Sequence, residues 1–166
     1  MKKSCLILLS NSAIVTQKAK WKRKNRVNSE RKGNMSFFKE TAERYETELM
    51  QSIVPFWEKN SIDTERGGFF TCLERDGKVY DTHKYMWMQW REVYLFALLY
   101  NSAFSQERYL KHAVDGFDFL TRYGKKTDGS YFFSLNRAGG PVSSTSEGAE
   151  IFSESFGAIA CAELYR

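Results

Sequence analysis

Two stretches of this chain echo each other at an offset of 63 residues, and that echo limits the fold more than any other feature. Phe69-Phe70-Thr71 returns as Phe132-Phe133-Ser134, Gly77 as Gly140, Val79 as Val142 and Ala97 as Ala160. A period of this length marks a unit that cannot bury its apolar face alone and depends on its neighbours. Each unit reads as an outer helix, a hairpin and an inner helix.

The periodicity places the elements. Phe38, Ala42, Tyr45, Leu49, Ile53 and Phe56 recur at gaps of three and four, one face of a first helix from Ser36 to about Asn60. Ser36 is its expected N-cap, and Pro55 is expected to kink it or end it early. Gly67 to Leu73 reads as a strand, Glu74-Arg75-Asp76-Gly77 as a turn and Lys78-Val79-Tyr80 as the return. A helix from about His83 to Phe104 follows, apolar almost all round through Met86, Trp87, Trp90, Tyr94, Leu95 and Leu98. Ser105 should cap an amphipathic helix that runs to Tyr123, with Gly124 to stop it. A second hairpin spans Tyr131 to Val142 around the turn Asn136–Gly140, and a last helix starts near Ala149. Inner helices that are greasy on all sides belong inside a larger assembly, so the units should close into a ring. Six such units need about 380 residues, and this chain of 166 holds little more than two. The expectation is a mainly α, incomplete toroid of helix–hairpin–helix repeats.

Charge divides the chain. Residues 1–34 carry ten Lys/Arg and one acid, whereas the remainder carries 15 Lys/Arg against 19 acids. The basic leader is expected to be disordered, and residues 36–166 to form the folded domain. The apolar run Cys5 to Leu9 is too short for a signal peptide, and Met35 would make a natural start. The mildly acidic body argues against a nucleic-acid partner, and no segment is long enough to span a membrane. Cys5, Cys72 and Cys161 are odd in number and widely spaced, the pattern of reduced thiols in a cytoplasmic protein.

The segment Phe56-Trp57, Gly67-Gly68-Phe69-Phe70-Thr71-Cys72-Leu73, Gly77-Lys78-Val79-Tyr80-Asp81 and Lys84-Tyr85-Met86-Trp87-Met88-Gln89-Trp90-Arg91 resembles N-acylglucosamine 2-epimerases. So does Ile151-Phe152-Ser153-Glu154-Ser155-Phe156. The likeness covers residues 36–166, and Trp90 departs from it where the family usually has glycine. The resemblance implies the N-terminal part of an (α/α)6 barrel that interconverts N-acetylglucosamine and N-acetylmannosamine. Related activities on the same barrel are those of cellobiose 2-epimerase and mannose isomerase. A rival of another class is a non-catalytic sugar-binding or association fragment. Inverting C2 requires a proton to leave from alpha to the C1 carbonyl and one to return on the opposite face, work suited to two histidines. The resemblance places those histidines in later helices, so no catalytic residue is expected here, and this chain alone is expected to be inactive. It implies an N-acyl amino sugar as substrate, no cofactor for the chemistry, ATP as an activator of some members, and a homodimer.

Arg91 is the leading substrate-binding candidate, its guanidinium able to hold sugar oxygens and steady enolate charge. A structural ion pair with Glu92, Glu150 or Glu154 is the competing reading, and a buried Arg91–Glu154 pair is the favoured form of it. Tyr80, Trp87, Gln89 and Glu154 complete the candidate site, with Tyr85 beside them, although aromatics at helical spacing default to core. Lys84, near the helix start, is expected in solvent. Glu147, Glu150 and Glu154 share a helix face. His83 and His112 are expected to be non-catalytic, His112 on an outer, exposed position. The pairs Gly67-Gly68 and Gly139-Gly140 belong to turns rather than to a phosphate loop, and no metal spacing appears.

Overall fold

A computed structural model of the chain describes residues 35–142 and 150–166. The basic leader and Glu147 lie outside the described residues. The chain divides into two compact units, Met1–Ser52 and Ile53–Arg166.

In the first unit, α1 covers residues 35–48 and its last turn widens into a π-helix, Leu49–Ile53. Ser36 lies inside the helix rather than capping it, because residue 35 is already helical. The disturbance expected from Pro55 is present as this widened turn: proline has no N–H to give the carbonyl four residues back.

The second unit begins with α2 (Val54–Asn60), which carries Pro55 in its first turn. The first hairpin pairs β1 (Cys72–Leu73) with β2 (Val79–Asp81), Cys72 opposite Asp81 and Leu73 opposite Val79. Its turn closes from the Glu74 N–H to the Lys78 carbonyl at 2.8 Å, with Gly77 at a φ of +89° that a side chain would resist. Next come β3 (Lys84–Tyr85), α3 (Met86–Tyr100), α4 (Glu107–Tyr123), β4 (Ser134–Leu135) and α5 (Glu150–Tyr165).

The second hairpin does two jobs. Its turn closes locally, Asn136 N–H to the Gly140 carbonyl at 2.8 Å and Val142 N–H to Ser134 at 3.1 Å. Its strand β4, however, pairs with β3 of the preceding unit, Lys84 opposite Leu135 and Tyr85 opposite Ser134. Neighbouring repeats are thus stitched by backbone hydrogen bonds as well as by side-chain packing. This pairing also explains why α3 starts at Met86 and not at His83: Lys84 and Tyr85 are committed to the strand.

Helix α3 packs against α4 and against α5. Phe96 stacks between Phe69 of the first loop (5.9 Å) and Tyr109 of α4 (6.2 Å), and all three are buried. Truncating such a ring to alanine costs about 3–5 kcal/mol. Helix α4 is the amphipathic one: Tyr109, Ala113, Gly116, Phe119 and Leu120 face inward, while Lys111, Asp115, Asp118 and Arg122 face solvent. Gln106, in extended conformation, precedes α4 without a side-chain cap, so Ser105 does not serve that role. Gly124 does end the helix, for a different reason than a left-handed turn. Its φ is −82°, and an added Cβ would meet the Met86 methyl and come within 2.6 Å of the Leu120 carbonyl oxygen.

Candidate functional site

Two arrangements converge on the start of α3. The first is a buried charge cluster at the seam between the repeats. Lys84 is wholly buried, with its Nζ 3.0 Å from Asp63 Oδ2. It also donates to the carbonyls of Gly67 and Arg137, the latter at 3.1 Å, and lies 4.4 Å from the Phe119 ring centre. Arg137 grips the same carboxylate with two bonds of 3.0 Å and reaches Glu65 at 2.9 Å. Burial alone would raise the Asp63 carboxyl, but the hydrogen bonds from Arg137 and Lys84 outweigh it and hold it down at about 2. Burial likewise draws Lys84 below the ordinary lysine range, with Asp63 opposing. The solvated Lys84 expected from its position near the helix start is therefore corrected: its three protons are directed at Asp63, Gly67 and Arg137, which converge from the loop before β1 and the turn after β4.

Gln89 works beside this cluster. Its Oε1 accepts from the Phe69 N–H at 2.8 Å and its Nε2 donates to the Phe69 carbonyl at 2.7 Å. The buried amide thus imitates a neighbouring strand, and its polar atoms are spent on the backbone. In the described residues Gln89 is a positioning group, holding the first loop against α3.

The second arrangement is an aromatic wall. Trp87, Phe133, Phe152 and Phe156 line a pocket of about 320 Å³, and Trp87 and Phe133 also border a cleft of about 380 Å³ with Thr71, Cys72, Tyr85 and Met88. Tyr85 meets Phe133 edge to face at 5.9 Å, and Trp87 lies 6.4 Å from Phe156. Arg91 is exposed, its guanidinium carbon 5.4 Å above the Phe156 ring and 5.7 Å above Trp87. Among the described residues no ion pair joins it to Glu154. The expected buried pair is corrected: Arg91 is kept by ring faces, the favourable setting for a flat cation.

The remaining candidates scatter. Tyr80 is 64% exposed on β2, its phenol raised by neighbouring Cys72, and it lines neither aromatic cavity. Glu154 is exposed on α5, near enough to Tyr131 to help burial and Cys161 raise that phenol. His83 Nδ1 lies 3.0 Å from Asp81, and His112, half-buried rather than exposed, has Nε2 3.2 Å from Glu58. Neither histidine borders the aromatic wall. Glu92 is 6% exposed with Oε2 lacking any partner among the described residues, and burial pushes it up to about 7 although Arg91 opposes the shift.

Trp90 turns away from the wall. It is fully buried between Phe117 and Tyr131, and it fits because Gly157 of α5 has no side chain: a Cβ there would stand 3.3 Å from the indole. Its departure from the family pattern therefore alters the α3–α5 packing and leaves the pocket lining untouched. The glycine pairs do not suit a nucleotide phosphate. Gly67 and Gly68 are closed over by Phe119, and Gly139 by Tyr123. Phe133, Phe152 and Phe156 are wall residues not singled out from sequence, although Phe133 lies in the repeat and the other two in the motif Ile151–Phe156.

With that geometry in hand, comparison with known proteins is decisive. Residues 68–166 match the pattern of the family N-acylglucosamine 2-epimerase (GlcNAc 2-epimerase). The chain belongs to this family. It is 44% identical over 131 residues to N-acylglucosamine 2-epimerase of Mus musculus and 42% identical over 125 residues to that of Homo sapiens. These alignments take in 74% and 70% of this chain, but the chain spans only 29% and 28% of those relatives. The solved cellobiose 2-epimerase from Bacillus thermoamylovorans B4167 superposes with a TM-score of 0.66 at 25% identity, covering 77% of this chain and 32% of that one. The chain thus has the architecture of part of an (α/α)6 barrel, as its repeats anticipate, and the relatives it matches are N-acylglucosamine 2-epimerases. No helix among the described residues is long and apolar enough to cross a membrane.

Proposed function

We propose that this chain forms the substrate wall of an N-acylglucosamine 2-epimerase, which interconverts N-acetylglucosamine and N-acetylmannosamine by removing and returning the C2 proton. The observation that carries the reading is Arg91, exposed over the Trp87 and Phe156 rings inside the segment that matches the family. A cation there can hold the sugar's oxygens and stabilise negative charge as the enolate develops. The seam supports it: Lys84 in β3 and Gln89 in the first turn of α3 are both tied to the first loop, on either side of Trp87 in the chain. Tyr80 and Glu154, both exposed, belong to this reading as more distant contacts to substrate. The acid/base histidines come from elsewhere in the barrel, and His83 and His112 take no part. Activation by ATP, homodimerisation and a cytoplasmic setting belong to the same whole-protein reading.

The chain by itself should bind sugar without turning it over. Proton NMR of N-acetylglucosamine incubated with the purified 166-residue chain should show no N-acetylmannosamine, whereas conversion in a preparation cleared of host enzyme contradicts this. Cellobiose epimerisation is the second reading, supported by the solved cellobiose 2-epimerase fold. Competition between the two sugars for the chain separates them: N-acetylglucosamine should displace cellobiose, and the reverse preference would favour the second.

A further inference from the structure

A second cleft, of about 370 Å³, shares no bordering residue with the aromatic wall. It lies between the loop that precedes β1 and helix α4. Buried Phe69, Gly116 and Phe119 border it on the inside. Its exposed border includes Arg66 on the loop, and Lys111, Asp115, Asp118 and Arg122 on α4. Those four follow one another at gaps of four, three and four, so they form a single stripe along the helix.

The charges around this cleft are unequally spent. Lys111 is paired with Asp115 at 2.5 Å, and His112 lies 3.2 Å from Glu58. The Asp63 carboxylate is taken up by Lys84 and Arg137. Among the described residues, Arg66, Arg122 and Asp118 make no ion pair. Two cations from different elements thus border the cleft against one unspent carboxylate. The loop that carries Arg66 is already shaped. Asp63 Oδ1 accepts from the N–H groups of Glu65 at 3.2 Å and Arg66 at 3.1 Å, and the Asp63 N–H donates to the Gly68 carbonyl at 3.0 Å. A backbone fixed in advance lowers the ordering cost of binding.

We infer that this cleft binds a small hydroxylated acid, whose carboxylate or phosphate is held by Arg66 and Arg122 and whose hydroxyls donate to Asp118. A guanidinium matches the paired oxygens of either anion. The lone carboxylate disfavours a bare anion and rewards one that also carries O–H donors. The volume stands near the lower end of the range of about 300–1,000 Å³ for small-molecule sites, which suits a body of monosaccharide size. None of this depends on what the aromatic wall binds.

The test is calorimetric titration of the 166-residue chain at low salt with gluconate, with glucose 6-phosphate and with uncharged glucose. At least one of the two acids should bind, and glucose should bind about tenfold more weakly or not at all, having lost a charge-assisted hydrogen bond. Gluconate alone binding would identify a carboxylate ligand, and glucose 6-phosphate alone a phosphate. Arg66→Gln and Arg122→Gln, both at exposed positions, should each lower the affinity by about tenfold with the melting temperature kept. Arg75→Gln removes the same charge from the turn of the first hairpin, away from the cleft border, and should leave binding unchanged. Binding of neither acid, equal binding of glucose, or an equal loss in Arg75→Gln would overturn the inference.

Discussion

Lys84 and Arg91 are two cations seven residues apart at the β3–α3 junction, and the protein treats them in opposite ways. Lys84 is sealed at the seam, its protons shared among one carboxylate and two carbonyls. Arg91 is exposed at the wall with aromatic faces beneath it and, among the described residues, no ion pair. The difference teaches what each region is for. A buried ammonium is tolerated only when oxygens converge on it, and once they do, the cluster fixes one geometry. A guanidinium on aromatic rings is oriented but leaves its hydrogen-bonding capacity unspent, which suits a ligand site. The seam holds the repeats together; the wall is what it holds in place.

Breaking the seam should have the largest effect. Asp63→Ala leaves Lys84 buried beside Arg137 without a counter-charge and should cost about 3–5 kcal/mol. Chemical denaturation would read this, and an unchanged midpoint would show that the cluster contributes nothing. A second change sharpens the contrast through pH. Glu92 is held at about 7 by burial, above its ordinary value of 4.5. Its neutral form favours folding fully below the unfolded value, and this contribution is lost as pH rises through about 7. The loss is on the order of 3 kcal/mol. Glu92→Gln should therefore flatten the fall in stability between about pH 4.5 and 7, and an unaltered pH profile would rule Glu92 out as its source. The smallest effect belongs to the wall. Arg91→Met should change stability by less than about 1 kcal/mol, the scale of an exposed cation–π contact. A loss as large as that of Asp63→Ala would mean that Arg91 is structural after all.

Much of the fold was legible because it depends on local pattern. The 63-residue echo, the two turns, the amphipathic α4 and the all-round apolar α3 follow from periodicity and turn chemistry. The fates of the charged residues were not legible, and the reason is separation along the chain. Asp63 lies 21 residues from Lys84, and the Arg137 carbonyl lies 53 away. Nothing near Lys84 in sequence distinguishes it from a solvated lysine at a helix start. Arg91 misleads for the converse reason: its apolar neighbours on α3 suggest burial, but they surround the helix and do not reveal which face opens. Gln89 shows a third case. Its place in the motif suggests a ligand contact, whereas the backbone of Phe69, brought in by the first loop, takes both ends of its amide. Of the wall, Trp87 and Arg91 could be found in sequence; Phe133, Phe152 and Phe156 needed the packing of the second repeat onto the first.

The central claim is that Arg91 belongs to a sugar-binding wall and not to the framework. Its most direct test is to titrate N-acetylglucosamine into the wild-type chain and Arg91→Met, recording the melting temperature of each. Tenfold or greater loss of affinity with the melting temperature held within about 2 °C is the predicted result, since one charge-assisted hydrogen bond is worth about 1.5–3 kcal/mol. Undiminished binding by Arg91→Met would contradict the account.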